Sequence, residues 1–101
     1  MLGKAYPIMY FDNFTIYANK LVGDSDIRML HGYIVLGKEC YDFEALFYAF
    51  EVGISKNVRA WFSKEAEQKL RKLNLGAEAI DHLIISLQNR LLVGDVIREE
   101  I

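Results

Sequence analysis

The sequence has little cysteine, little proline and no long run of apolar residues, and each scarcity excludes a class of protein. Cys40 is the single cysteine among 101 residues, so no disulfide bond can form within the chain. The apolar runs are only a few residues long, whereas a helix that crosses a bilayer needs ~20 such residues. One proline and seven glycines are also too few for a low-complexity or disordered chain. We therefore expect a globular protein without membrane spans.

The first residues lack the pattern of a secretory signal, which is a charged region, an apolar run and a small-residue cleavage site. Together with the single cysteine, this predicts a reducing, intracellular environment, most simply the cytoplasm. A length of 101 residues, with 52% hydrophobic and 26% charged residues, suits one hydrophobic core. We expect a single α+β domain over residues 1–101.

Aromatic residues are absent from the last 39 residues, because all thirteen lie between Tyr6 and Phe62. Aromatic and β-branched side chains suit a pleated sheet, whereas Leu, Ala, Glu and Lys suit helices. The sequence therefore predicts an α+β fold with a three-stranded antiparallel sheet, about 5–37, followed by three helices, about 42–92, packed on one face of the sheet.

The strands are expected at about 5–11, 14–22 and 28–37, where β-favouring residues cluster between turn signals. Residues 12–13 read Asp-Asn and favour a two-residue turn, since both side chains tolerate left-handed backbone conformations. Residues 23–26 read Gly-Asp-Ser-Asp and supply the second turn. The three strands would form an antiparallel meander.

The first two helices are expected at about 42–53 and from Ser63 to about Leu73. Asp42 is the predicted N-cap of the first, since a carboxylate there accepts from the backbone donors of the first turn. Its apolar side chains follow the i, i+3, i+4, i+7 pattern of a buried stripe: Phe43, Leu46, Phe47 and Phe50. The second helix would turn three residues inward: Ala66, Leu70 and Leu73.

The third helix, about 77–92, carries the clearest apolar stripe: Ile80, Leu83, Ile84, Leu87 and Leu91. Ile85 and Leu92 fall to one side of this stripe at 100° per residue and widen its apolar arc. One interpretation is that the helix is central and touches two other elements; the other is a surface that meets a second protein or a second copy. The segment 95–101 either frays or adds a short edge strand.

Positive charge is concentrated in residues 55–76, a segment we call the basic segment. It holds six basic residues against Glu65 and Glu67, a net charge of +4 in a chain whose total is −2: Lys56, Arg59, Lys64, Lys69, Arg71 and Lys72. Spacing of four predicts ion pairs from Glu65 to Lys69 and from Glu67 to Arg71. Those pairs leave other basic residues unexplained.

Three basic residues of this segment lack a nearby acidic partner on the favourable, N-terminal side in sequence, and they bracket Trp61 and Phe62: Lys56, Arg59 and Lys64. Basic residues interleaved with aromatics bind phosphates and stack on bases. The competing interpretation is that both aromatics belong to the core, where large aromatics are usually found. The predicted binding residues are Lys56, Arg59, Trp61, Lys64 and Lys72.

Catalytic and metal signatures are sparse. Cys40 with His31 or His82 could form a nucleophile and base, but no flanking motif presents the thiol, and a small buried hydrophobic role fits Cys40 as well. Acidic residues cluster around position 42, where a helix start would also favour them: Glu39, Asp42 and Glu44. No zinc-ligand spacing and no phosphate-binding glycine pattern is present. We expect no metal and no cofactor.

The sequence therefore predicts a non-enzymatic binding module, of an adaptor or inhibitor type, that acts through protein–protein contact and self-associates as a homodimer. Ile85 and Leu92 are the predicted interface residues. The first alternative is nucleic-acid binding through 56–72, which the acidic composition and net charge of −2 disfavour. The second is a small hydrolase built around Cys40. No membrane partner is expected.

Overall fold

The computed structural model describes residues 13–24, 26–51, 54–73 and 76–99, without the side chains of 49–51 and 54–56. Within these ranges the chain forms five strands and two helices. The strands are β1 (Thr15–Gly23), β2 (Ile27–Leu36), β3 (Glu39–Glu51), β4 (Ile54–Phe62) and β5 (Ile97–Arg98). The helices are α1 (Lys64–Arg71) and α2 (Ala77–Leu92). The fold is α+β, but the predicted three-stranded sheet with three helices is wrong.

The sheet is mixed and has the strand order β4-β3-β2-β1-β5. The first four strands form an antiparallel meander, and β5 pairs with β1 in parallel. Because the chain leaves the sheet at β4 and returns at the opposite edge as β5, both helices cross one face of the sheet. The predicted strands at 14–22 and 28–37 are confirmed as β1 and β2. The predicted strand at 5–11 lies outside the described residues, and so does its turn at 12–13, apart from Asn13.

The error in the predicted fold lies in residues 39–62, which form two long strands rather than a helix. β2 and β3 are joined by a two-residue turn at Gly37 and Lys38, and Gly37 has a φ of 67° that favours glycine. Asp42 is therefore a strand residue, opposite Tyr33, and no helix N-cap. Phe43 is buried, while Leu46 points to the other face, so the expected helical stripe is split between two faces.

The turn between β1 and β2 is organised by Asp24, as the Gly-Asp-Ser-Asp sequence predicts. Gly23 has a φ of 137°, and the Asp24 carboxylate accepts hydrogen bonds from the backbone N–H of Asp26 at 2.8 Å and Ile27 at 3.1 Å. These two hydrogen bonds stabilise the carboxylate and lower the pKa of Asp24 below its ordinary value of 3.8.

The core lies between the helices and one face of the sheet, which we call the covered face. From the sheet it receives alternate residues: Phe14, Ile16, Ala18, Leu30, Ile34, Leu36, Tyr41, Phe43, Ala45, Ala60 and Phe62. From the helices it receives Ala66, Leu70, Ile80, Leu83, Leu87 and Leu91. No polar or charged residue is buried among the described residues. Burial of these apolar side chains is the main source of stability.

Both helices begin and pack much as their sequence patterns predict. Ser63 caps α1 by accepting a hydrogen bond from the backbone N–H of Ala66 at 3.1 Å. The predicted inward position of Leu73 is wrong, because this residue follows α1 and is 47% exposed. The bounds of α2 match the predicted 77–92. Gln88 of α2 also accepts from the backbone N–H of Ala60 at 2.8 Å, which satisfies one donor on the outer edge of β4.

β5 settles the open question about residues 95–101, since Ile97 and Arg98 form the edge strand. The backbone N–H of Glu99 donates to the carbonyl of Ala18 at 2.7 Å and fixes β5 against β1. Within the described part of the chain, no helix is both long and apolar enough to cross a membrane.

Candidate functional site

The candidate site is the sheet face opposite the helices, which we call the open face. Its side chains alternate with those of the core because successive strand residues point to opposite sides. The four long strands contribute Thr15, Tyr17, Lys20, Val22, Ile27, Met29, His31, Tyr33, Val35, Cys40, Asp42, Glu44, Leu46, Tyr48, Asn57, Arg59 and Trp61. Ile97 and Glu99 extend the open face beyond β1. An antiparallel sheet with one solvated face normally places polar residues there, whereas this face is rich in aromatic and apolar ones.

Glu44 is the central polar residue of the open face and contacts neighbours on both adjacent strands. Strand register places it beside His31 of β2 and Trp61 of β4. Its carboxylate lies 3.1 Å from His31 Nδ1 and accepts a hydrogen bond from Trp61 Nε1 at 3.1 Å. The His31 and Glu44 side chains are 39% and 44% exposed, so water weakens the pair and its contribution to stability is about 0–1 kcal/mol. Its main effect is to orient the Trp61 ring.

Two tyrosines occupy the open face next to this row. The rings of Tyr17 and Tyr33 stack with centroids 5.0 Å apart and an interplanar angle of 12°. The Tyr33 hydroxyl donates to the Glu99 carboxylate, at 3.0 and 3.1 Å from its two oxygens. Partial desolvation, followed by this hydrogen bond to Glu99, raises the pKa of the Tyr33 phenol. The phenol is therefore a fixed donor rather than an acid near neutral pH.

The other end of the open face carries a cluster of exposed and half-buried side chains that we call the apolar patch: Val22, Ile27, Met29, Leu46 and Tyr48. Strand pairing brings Val22, Met29 and Leu46 into one cross-strand row, and Ile27 lies opposite Tyr48 in the next. Val22, Ile27 and Tyr48 are 47%, 53% and 36% exposed. Large apolar side chains gathered on a surface mark interaction sites more often than isolated ones do.

An open depression of about 710 Å³ lies along Lys20, His31 and Glu44. Its polar lining includes Lys20, His31, Asp42, Glu44 and Ser63. Two carboxylates in this depression suit an ammonium or guanidinium group from a partner. Among the described residues of the open face, three carry carboxylates, Asp42, Glu44 and Glu99, and two are lysine or arginine, Lys20 and Arg59. The remaining basic residue, His31, is paired with Glu44.

The structure divides the predicted binding residues between two layers of the molecule. Arg59 and Trp61 lie on the open face, while Lys64 begins α1 and Lys72 follows its end in the helical layer. Lys56 belongs to β4, but its side chain lies outside the described part of the structure. Trp61 is half-buried rather than a core residue, in contrast to Phe62, which is 8% exposed. The described side chains among them, those of Arg59, Lys64 and Lys72, therefore do not form one continuous basic surface.

Lys69 makes contacts that its sequence spacing did not predict. Its ammonium lies 3.2 Å from the Glu39 carboxylate, donates to the Cys40 carbonyl at 2.8 Å, and sits 4.9 Å from the centroid of the Tyr41 ring. These contacts join α1 to β3, in place of the expected pair with Glu65. The predicted pair of Glu67 with Arg71 is confirmed at 3.1 Å. Lys69 and Arg71 are therefore both engaged in contacts that stabilise α1 or attach it to the sheet.

Cys40 is exposed on β3, so the interpretation of this residue as a small buried hydrophobe is wrong. His31 lies on the same face but pairs with Glu44 two rows away, and His82 is on the outer side of α2. Among the described residues, no three His, Cys, Asp or Glu side chains are close enough together to hold a metal ion.

Ile85 and Leu92 lie on the outer surface of α2, where they are 54% and 40% exposed. Neither side chain is therefore a buried contact within the chain. Val93, directly after the helix, is 79% exposed and adds to this second apolar surface.

Most of the open face could not be predicted from the sequence. Which residues become neighbours there depends on the register of the strands, and local sequence patterns do not predict that register. This applies to His31, Glu44 and the tyrosine pair. One signal was available: in residues 41–45, apolar Tyr41, Phe43 and Ala45 alternate with the two acidic residues, as a half-buried strand requires.

No protein-family model, curated protein or solved structure matches this chain. The function therefore has to be inferred from the chemistry of the open face.

Proposed function

We infer that this protein is a non-enzymatic, intracellular binding module that holds another protein against its open face. The observation that carries the proposal is the apolar patch, which lies beside Trp61 on the open face, where neither α1 nor α2 covers the sheet. Four strands hold these side chains in fixed positions, so little conformational entropy is lost when a partner binds.

The residue types on the open face match those of protein interfaces. Tyr, Trp, Met and Arg are enriched at such interfaces, and Tyr, Trp and Arg dominate the residues that cost most when truncated. Here Trp61 is oriented by Glu44 and flanks the apolar patch at its Arg59 side. The patch would form the dry centre of the contact and the charged residues its rim.

The partner surface should combine an apolar centre with basic side chains. Asp42 and Glu44 border the depression next to the tyrosine pair, and Glu99 closes the far edge of the face. Three carboxylates favour lysine or arginine in the partner and repel the phosphates of a nucleic acid. This charge pattern supports a protein partner over the nucleic-acid alternative.

The test replaces the centre of the apolar patch with an opposite-charge pair, Met29→Lys together with Leu46→Glu. These residues are cross-strand neighbours, so the new charges attract each other and preserve the register. Partners captured by the tagged protein from an extract of its own cells are identified, purified and titrated by calorimetry. We expect the paired variant to bind the purified partner at least about 30-fold more weakly, because two apolar contacts are lost.

The matched control is Leu73→Glu. Leu73 lies in the helical layer, away from the open face, and its exposed fraction is 47%. This substitution should leave the affinity unchanged. The proposal is wrong if the paired variant, folded by circular dichroism, binds the same partner as tightly as the parent. Fluorescence anisotropy with labelled DNA and RNA at low salt covers the nucleic-acid alternative, which would instead show binding that Arg59→Gln weakens.

Self-association through α2 is a second proposal, supported by the exposure of Ile85 and Leu92. Standard stable interfaces bury about 800 Å² on each partner. The apolar side chains of Ile85, Leu92 and Val93 cover much less than that area, so we expect the dimer to be weak. Sedimentation equilibrium should show dimers at high micromolar concentration and monomers for Ile85→Lys with Leu92→Lys. A monomeric parent at that concentration would contradict this proposal without affecting the open-face proposal.

A further inference from the structure

A cavity of about 160 Å³ lies on the covered face, where the sheet extends past the C-terminal end of α2. Its walls are mostly apolar and come from four different elements and the segment before β5: Leu21, Leu30, Phe47, Leu91 and Val96. It is separated from the open face by the thickness of the sheet. The binding module described above makes no use of it.

Among the described residues that line this cavity, the charged ones are two arginines. Arg28 comes from β2, where its Nε donates to the Asp24 carbonyl at 3.1 Å and holds the side chain in place. Arg98 comes from β5, beside Ala18, and is exposed, so its part of the wall meets solvent. Among the described residues that line the cavity none is a carboxylate, and two guanidinium groups at its wall favour an anion.

The size of the cavity limits the apolar part of a ligand. An apolar protein cavity of about 150 Å³ stays dry and accepts one benzene molecule. A cavity of about 160 Å³ therefore holds a single ring or an aliphatic chain of about six carbons. A longer apolar body would reach past these walls into solvent and gain no further burial.

We propose that this cavity binds a small carboxylate whose apolar body has about six carbons. The body would lie against Leu30, Phe47 and Leu91, and the carboxylate would accept hydrogen bonds from Arg98 and Arg28. A carboxylate matches the planar guanidinium with two parallel hydrogen bonds. The arginines would make the site selective for an anionic ligand. The apolar walls would disfavour a ligand whose body is charged or longer than the cavity.

The experiment is a titration of the isotopically labelled protein with hexanoate, followed by amide chemical shifts. We expect saturable binding with a dissociation constant of about 0.1–1 mM, typical of so few ligand atoms, and shifts at Ala18, Leu30 and Val96. Benzoate should compete with hexanoate. Acetate, which lacks the apolar body, and hexan-1-ol, which lacks the charge, should each bind at least about tenfold more weakly.

Variants separate the two halves of the site. Arg98→Gln should weaken hexanoate at least about tenfold and leave hexan-1-ol unchanged, whereas the matched control Arg71→Gln should change neither. Val96→Phe fills the cavity and should abolish both. The proposal is overturned if hexanoate shows no saturation by about 10 mM, because the binding free energy would then be too small for a specific site. It is also overturned if hexan-1-ol binds as tightly as hexanoate, or if phenyl phosphate binds at least as tightly as benzoate. Arg98 is exposed, so its variant is expected to keep the parent's amide spectrum and remain interpretable.

Discussion

Replacing Gly32 with alanine is expected to lower the free energy of unfolding by about 3 kcal/mol or more. Gly32 lies in β2, at the centre of the sheet and opposite Ala18 of β1. A Cβ atom at this position would overlap the backbone carbonyl oxygen of Tyr17 and lie 3.2 Å from Ala18 Cα and 3.0 Å from Phe43 Cζ. Backbone atoms cannot rotate away, so β1 would have to shift.

The close approach of β1 has a visible cause, which is the irregularity in its pairing with β2. The register shifts between Ala18 and Lys20, so Asn19 is an extra residue without a partner on β2. A glycine in a strand interior often marks such a bulge or a close backbone contact. The bulge also lets Lys20 face the open side two residues before Val22.

The control for Gly32 is Gly76→Ala, because an added Cβ at Gly76 meets no atom within 4 Å. Alanine is a poorer N-cap than glycine, which lowers stability, but it restricts the unfolded chain, which raises stability. The free energy of unfolding should therefore change by no more than about 1 kcal/mol. Urea denaturation followed by Trp61 fluorescence gives both values. An unfolding midpoint for Gly32→Ala equal to that of the parent would contradict the close approach of β1.

Leu83→Ala is the second change with a large expected effect, a loss of about 2–5 kcal/mol in the free energy of unfolding. Leu83 is 0% exposed and lies on the side of α2 that packs on the sheet. Alanine would leave a cavity, and the neighbouring side chains can fill it only in part. Since small domains unfold with about 5–15 kcal/mol in total, much of the protein's stability would be lost.

Ile85→Ala is the matched control for Leu83, because it lies two residues later in the same helix but is 54% exposed. Alanine is also the best helix former, so the change in the free energy of unfolding should remain within about 0.5 kcal/mol. Chemical denaturation monitored by circular dichroism compares the two variants. Equal losses from both would mean that α2 does not pack through the Leu83 side.

The open face and the cavity lie on opposite sides of one sheet and can be tested separately. Leu46 and Phe47 are consecutive residues of β3, yet Leu46 belongs to the apolar patch and Phe47 lines the cavity. The alternation of a strand thus supplies both sites from one segment. Changes to Met29 and Leu46 should leave hexanoate binding intact, and Arg98→Gln should leave the protein partner bound.

The bounds of α2 could be predicted from sequence because its pattern is compatible with one structure only. Ile80, Leu83, Leu87 and Leu91 recur at intervals of three and four, as a helix with one buried side requires, and all four are buried. The same is true of the turn at 23–26, where a positive φ requires glycine and the aspartate side chain binds the backbone locally. Both features depend on interactions between near neighbours in the chain.

β3 was mispredicted because its apolar spacing fits two structures. Phe43 and Phe47 are four residues apart and share one side of a helix, but an even interval also places them on one side of a strand. Pairing of β3 with β2 and β4 on both edges decides in favour of the strand. Such pairing involves residues far apart in sequence, and local patterns carry no information about it.

The sequence by itself determined the α+β class, the span of α2 and the turn at 23–26. Only the tertiary structure decided which residues share a surface. Trp61 and His31 both contact Glu44 because three strands align in one register, and the cavity exists because β5 returns beside β1 after α2 ends. The physical reason is that periodicity fixes which side of an element a residue occupies, whereas long-range hydrogen bonding and burial fix which elements become neighbours.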